Sequence, residues 1–149
     1  MATFSGFGEL QTPKDLLRKL EHDFARIAAG QEDDFATFDF FVTAEHIVDW
    51  LYPSSEPDRR TMRSNHLLVA ITSHLASGSK HFVATHKHHK SVASVRKDKY
   101  FAEDYAAKDY VAEPIVVKLS PTEAKALGAS EIEAITLAKK VLDFWKLRL

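Results

Sequence analysis

The sequence predicts a mainly α-helical fold: a bundle of about four main helices with a small β element inserted before the C-terminal helix. Apolar residues recur at helical spacing in four stretches of the chain. Residue types that start helices precede them, such as a threonine followed by a proline. The clearest strand pattern, IVVKL at residues 115–119, comes late in the chain.

The first helix is predicted after a short, loose N-terminal arm, residues 1–11. Thr12 and Pro13 open it, because threonine caps a helix and proline fits the first turn. An apolar stripe follows at helical spacing, formed by Leu16, Leu17, Leu20, Phe24, Ile27 and Ala28. Gly30 is a typical stop signal and predicts the end of this helix.

The second helix is predicted from Asp33 or Asp34, either of which can cap it, to about Tyr52. Apolar side chains nearly all round it indicate a central position in the bundle. Three polar residues share one face: Asp39, Thr43 and His46. We interpret them either as a hydrogen-bonded stripe between helices or as the wall of a site.

A third helix is predicted over residues 58–77, with an extension to Lys80 left open because Gly78 weakens the last turn. An irregular insertion follows over residues 82–119. The insertion should contain a small β element, using roughly Phe82–Val95 and Ile115–Leu119. Pro114 cannot donate a backbone hydrogen bond, so its place at the start of the second strand predicts a sheet edge.

The last part of the chain carries two predicted capping boxes, a serine followed three residues later by a glutamate. The first, at residues 120–123, should open a short helix that ends near Gly128. The second, at residues 130–133, should open the final helix, which continues to Leu149.

Composition places the chain among globular proteins and excludes several functional classes. With 149 residues, 45% hydrophobic and 28% charged, we predict a single helical domain over residues 1–149. The absence of cysteine excludes thiolate metal sites and fits a cytoplasmic protein. No signal-peptide pattern or membrane-length apolar run is present, so no membrane association is expected. Only five glycines and no phosphate-binding loop occur, so no cofactor is predicted.

The predicted third helix carries a candidate functional face. Five residues fall within one narrow sector of its helical wheel: Arg63, His66, His74, Ser77 and His81. Histidine moves protons near neutral pH and arginine stabilises phosphate charge, so this face suits phosphodiester cleavage. The alternative is that these side chains rim the bundle and hydrogen-bond to backbone or acidic groups.

A basic segment follows, without any acidic residue between Lys80 and Lys97. Its cations are candidates for binding a nucleic-acid backbone: Lys80, Lys87, Lys90, Arg96, Lys97 and Lys99. Aromatic residues within or just after the segment, Phe82, Tyr100 and Phe101, could stack on bases. The alternative is a solvated loop balanced by the acidic residues that follow it.

A histidine-based metal site is a further alternative. His86, His88 and His89 resemble a metal-binding tract in composition. Neighbouring residues do not preform a tetrahedral site, and no carboxylate lies close to complete it. Such a site would need His46, His66 or His74 as well. We therefore assign no metal ligand from the sequence.

Four blocks of the chain resemble small uncharacterised bacterial and phage-associated helical proteins: DLLRKLEHDF, FDFFVTAEHIVDWLYP, LASGSKHF and LAKKVLDFW. The arrangement is also similar to the HEPN superfamily of helical bundles. This resemblance implies a dimer and, in many members, a metal-independent ribonuclease. It also implies an arginine and a histidine a few residues apart at a shared cleft.

Two placements of that pair fit the resemblance. Arg60 and His66 have the required spacing; alternatively His81, next to Lys80, follows the third helix without an upstream arginine. The resemblance thus implies a nucleic-acid-directed protein, either an active ribonuclease or an inactive relative, with RNA as the expected partner. His66 or His81 would carry the proton, and Arg60, Arg63 or Lys80 would hold phosphate. A homodimer is expected, and a non-catalytic protein-interaction module is the competing hypothesis.

Overall fold

The computed structural model describes residues 4–30, 33–81, 90–97 and 114–149. The helices in these ranges are α1 (Pro13–Ala28), α2 (Asp33–Leu51), α3 (Glu56–Asn65), α4 (Leu67–His81), α5 (Pro121–Leu127) and α6 (Ala134–Lys146). The strands are β1 (Val92–Lys97), β2 (Ile115–Leu119) and β3 (Glu131–Glu133). The predicted fold class, mainly helical with a small sheet before the C-terminal helix, is confirmed.

The two ends of α1 follow the predicted signals. The Asp15 backbone N–H donates to Thr12 Oγ1 (3.3 Å), and the Asp15 carboxylate accepts from the Thr12 backbone N–H (2.9 Å). The Gln11 N–H also donates to this carboxylate, and these bonds hold the pKa of Asp15 well below its usual range. Gly30 follows with φ +69°, a left-handed conformation that glycine adopts without strain.

Helix α2 is the central element of the bundle, as its apolar pattern predicts. It packs against α1 and α4, with further contacts to α3 and α6. Four of its residues have no exposed surface: Ala36, Phe40, Ala44 and Ile47. The shared core also contains Leu20, Ile71, Leu137 and Trp145 from the other helices. No helix in the described ranges is long and apolar enough to cross a membrane.

A buried carboxylate joins α1 to α2. Asp23 is 1% exposed and accepts hydrogen bonds from Lys19 Nζ (2.7 Å) and Thr43 Oγ1 (3.0 Å). One turn further along α1, Arg26 Nη1 lies 2.7 Å from the Asp39 carboxylate of α2. Asp39 and Thr43 therefore form a hydrogen-bonded stripe between helices, the first of their two interpretations.

The prediction of one continuous third helix over residues 58–77 is wrong. Helix α3 ends at Asn65, and α4 begins at Leu67. His66 lies between them with an extended backbone (φ −130°, ψ 111°). The break lets α3, which has no fully buried residue, pack beside α4 and α2. A straight rod would carry α3 away from both helices, so tertiary packing overrides the local helical pattern.

The three strands form an antiparallel sheet in the order β1-β2-β3. The prediction that Pro114 places its strand at an edge is wrong, because β2 pairs with a strand on each side. Pro114 precedes β2, so its missing N–H removes no bond from the ladder. Strand β1 begins only at Val92, and the earlier predicted strand residues, 82–89, lie outside the described ranges.

Both predicted capping boxes near the C-terminus are wrong, although a helix follows each. The Ser120 side chain makes no capping bond, and Glu123 instead accepts from Ser91 Oγ (3.2 Å). Residues 131–133 pair with β2 as β3, so α6 begins only at Ala134. Residues 131–133, which the second capping box would have placed in the first turn of the helix, therefore form strand hydrogen bonds instead.

We expect Asp23→Ala to lower the free energy of unfolding by about 2–4 kcal/mol, because it leaves Lys19 and Thr43 without their shared acceptor. Chemical denaturation measures this change. Glu21→Ala, an exposed neighbour with one long ion pair to Lys146, is the matched control and should change stability by less than about 0.5 kcal/mol. Equal small effects of the two variants would contradict the role assigned to Asp23.

Candidate functional site

The larger of the two cavities described is an open cleft of about 1190 Å³ among α2, α3 and α4. We call it the α2–α4 cleft. Residues before β1 and in α5 complete its lining. It brings together four of the five candidate catalytic residues and one candidate nucleic-acid-binding residue: Arg60, Arg63, Lys80, His81 and Lys90.

Arg63 is held inside this cleft by carboxylates of α2. Its Nη2 and Nε donate to Glu45 Oε1 at 2.5 and 3.1 Å, and Nη2 lies 3.4 Å from Asp49. Ser73 Oγ of α4 donates to the same Glu45 oxygen at 3.3 Å. Arg63 is therefore engaged in structure, and its charge is largely balanced by α2.

Glu45 is the most unusual acid of the cleft. Burial raises the pKa of its carboxyl above the usual range, although the Arg63 guanidinium opposes this shift. Its second oxygen, Oε2, is buried and accepts no hydrogen bond from any described residue. The charged form of Glu45 is thus stabilised through one oxygen only, and it depends on Arg63.

The other basic side chains of the cleft are more accessible to a ligand than Arg63 is. Arg60 is 64% exposed, and its nearest described carboxylate, Glu56, lies 3.8 Å away. Lys80 and His81, at the end of α4, and Lys90, just before β1, are all exposed. None of these three forms an ion pair with a residue in the described ranges. The cleft rim therefore presents positive charge that an anion can reach.

His66 does not lie on this cleft, so the predicted alignment of Arg63, His66, His74 and His81 is wrong. His66 lies at the break between α3 and α4 and is absent from the cleft lining. Its ring packs edge-on against Phe144 of α6, with centroids 5.3 Å apart. The structure therefore does not bring Arg60 and His66 together at the cleft.

His74 also departs from the predicted face. Its Nδ1 accepts two backbone hydrogen bonds, from the N–H of Ser91 (3.1 Å) and of Val92 (2.9 Å). Burial lowers the pKa of His74, and the nearby Glu123 carboxylate opposes this shift. His74 thus anchors the start of β1 to α4 as a neutral imidazole.

The residues of the basic segment do not share one site. Arg96 lies 3.0 Å from Glu131, and Lys97 lies 2.9 Å from Asp34; neither lines the cleft. Lys87, Lys99 and the histidines His86, His88 and His89 lie outside the described residues. The nucleic-acid role of Arg96 and Lys97 stays a prediction.

Sequence reasoning missed the acidic wall of the cleft: Glu45, Asp49 and Glu56. A signal for it existed, because Glu45 and Asp49 are spaced i, i+4 in an otherwise apolar stretch of α2. His46 also lines the cleft, so the site-wall interpretation applies to this one member of the polar stripe.

No group of three or more histidine and acidic side chains within the described ranges could hold a metal ion. The metal alternative therefore stays a prediction for the histidines outside those ranges. Dimerisation stays a prediction as well. Phe35 and Phe38, on the aromatic-rich second helix, are 69% and 49% exposed.

We expect Arg63→Ala to lower the free energy of unfolding by about 2–3 kcal/mol, because it leaves the Glu45 carboxylate buried without a counter-charge. The loss should shrink as the pH falls through the folded-state pKa of Glu45, since the protonated acid needs no partner. Denaturant titrations at neutral and acidic pH measure both effects.

The double variant Glu45→Gln with Arg63→Ala tests the cause. It leaves no buried charge, so it should be more stable than Arg63→Ala alone. Arg60→Ala, an exposed arginine on the same helix, is the control and should change stability by less than about 0.5 kcal/mol. A double variant no better than Arg63→Ala would show that the packing of Arg63, rather than its charge, matters.

His74 should make the protein less stable in acid. Its pKa is lower in the folded chain than in the unfolded chain, so the unfolded state binds more protons and stability falls as the pH drops below about 6.5. His74→Asn keeps a hydrogen-bond acceptor but cannot titrate, so its melting temperature should fall less between pH 7.5 and 5. His46→Asn, at an exposed histidine, is the control; if it flattens the pH profile as much as His74→Asn, the assignment fails.

Comparisons with known proteins identify no relative of this chain. No protein-family model, no curated protein and no solved structure matches the chain. The resemblance to HEPN bundles therefore stays a prediction. The α2–α4 cleft is the feature of the structure on which a proposal of function can rest.

Proposed function

We propose that the α2–α4 cleft binds the phosphate backbone of RNA. The observation that carries this proposal is a set of exposed basic side chains, contributed by three separate segments, around one cleft: Arg60, Lys80, His81 and Lys90. Lys80, His81 and Lys90 have no ion-pair partner in the described part of the chain. Such cations attract successive phosphates and release the counterions bound to them.

The acidic residues of the cleft do not cancel this attraction. Three of them already have an arginine partner: Glu45 pairs with Arg63, Asp49 lies near both Arg63 and Arg59, and Glu56 pairs with Arg59. The fourth, Glu123, accepts a hydrogen bond from Ser91. The net charge of the whole chain is −1, so attraction for a polyanion depends on local groups of cations such as those at the rim of the cleft. We therefore expect modest affinity with a salt dependence set by a few phosphates.

The same cleft supports a second candidate function, RNA cleavage without a metal. His46 and His81 both line it, and two histidines can serve as base and acid. One would accept the proton of a ribose 2′-hydroxyl while that oxygen attacks the adjacent phosphorus. The other would protonate the departing 5′-oxygen, and Lys80 would stabilise the negative charge of the transition state.

We expect a short single-stranded RNA to bind at low salt and to dissociate as salt rises. Lys80→Ala and Lys90→Ala should each weaken binding and reduce the slope of log K against log salt by about 0.7, because each removes one phosphate contact. Fluorescence anisotropy measures both quantities. Lys140→Ala, an exposed lysine of α6 away from the cleft, is the control and should leave the slope unchanged.

Absence of salt-dependent RNA binding, or equal effects of the cleft and control lysines, would contradict the proposal and favour the protein-interaction module. Denaturing gels of the same samples, with a chelator present, test cleavage. Cleavage that His46→Ala and His81→Ala both abolish would support the second candidate. Intact RNA, or cleavage unchanged in these variants, would remove it and leave the binding function.

A further inference from the structure

A second cavity, of about 780 Å³, lies beside the α2–α4 cleft, between α2, α4 and strands β1 and β2. Phe41 and Val117, which are almost fully buried, form part of its wall. Phe38 and Val95 also line it, and they are 49% and 51% exposed. An apolar cavity of this volume with an open mouth is typical of sites that bind small organic groups.

The two cavities meet at the end of α4. Four residues line both: Phe38, Ser79, Lys80 and His81. Lys80 and His81 therefore lie where the apolar cavity opens into the polar cleft. A ligand complementary to this junction combines a flat apolar body with an attached anion. A nucleotide has both features, and an aromatic ring beside cations is how proteins hold single-stranded nucleic acids.

We propose that the apolar cavity accepts one unstacked base of a single-stranded RNA whose phosphates lie on Lys80 and His81. This inference rests on the proposed RNA-binding function and names its substrate class. Phe38 offers a ring face on which the base can stack. Thr37 and Ser94 also line the cavity, and a hydroxyl group can donate or accept a hydrogen bond. The pocket should therefore accept more than one kind of base.

The test compares a short single-stranded RNA with an abasic oligomer of the same length, which keeps every phosphate and lacks every base. Wild-type protein should bind the RNA about tenfold more tightly, the effect of one stacked base. Phe38→Ala should remove this advantage without changing the affinity for the abasic oligomer. Fluorescence anisotropy at low salt measures all four affinities.

Phe35→Ala is the matched control. Phe35 is 69% exposed on the same helix and lines neither cavity, so both affinities should stay unchanged. Val95→Trp is a second variant, which fills the cavity from β1 and should weaken binding of the RNA alone. Circular dichroism verifies that each variant is folded.

Equal affinity for the two oligomers, with both weakened by Lys80→Ala, would overturn the base pocket and leave the proposed function intact. A loss of both affinities in Phe38→Ala would also overturn the base pocket, because Phe38 would then act only on the cleft. If neither oligomer binds, the proposed function and this inference are overturned together.

Discussion

One largely buried carboxylate, Glu45 in the middle of α2, is the constraint around which the α2–α4 cleft is arranged. It accepts hydrogen bonds from Arg63 of α3 and Ser73 of α4, so three helices meet at a single oxygen atom. A carboxylate taken out of water needs such a counter-charge. Arg63 lies on α3 and Ser73 on α4, so this oxygen also links the two helices that the break at His66 separates.

This arrangement separates the charges of the cleft into two layers. The inner layer, Glu45 with Arg63, is largely buried and balanced, and it supports the walls. The outer layer, at the end of α4 and before β1, consists of exposed cations. Because Arg63 neutralises the inner acid, the outer cations remain free of Glu45 and can attract an anionic ligand. Shape and stability thus depend on one set of charges, and the proposed RNA binding on another.

The three histidines expected on one helix face illustrate how packing assigns different roles to one residue type. His66 caps the end of α3 and packs on Phe144. His74 accepts two backbone N–H groups and holds β1 against α4. His81 alone stays exposed at the cleft. Imidazole can be an apolar ring, a hydrogen-bond acceptor or a proton carrier, and its neighbours decide which.

Local signals in the sequence were sufficient for the helical class, both ends of α1, the central position of α2 and the strand at Ile115–Leu119, because capping and periodicity act over a few residues. Four residues that line the cleft were also identified from the sequence as candidate site residues: Arg60, Lys80, His81 and Lys90. Only the tertiary structure decided the break at His66, the central place of β2 and the partner of Arg63. These depend on contacts between residues far apart in the chain, which no local pattern specifies.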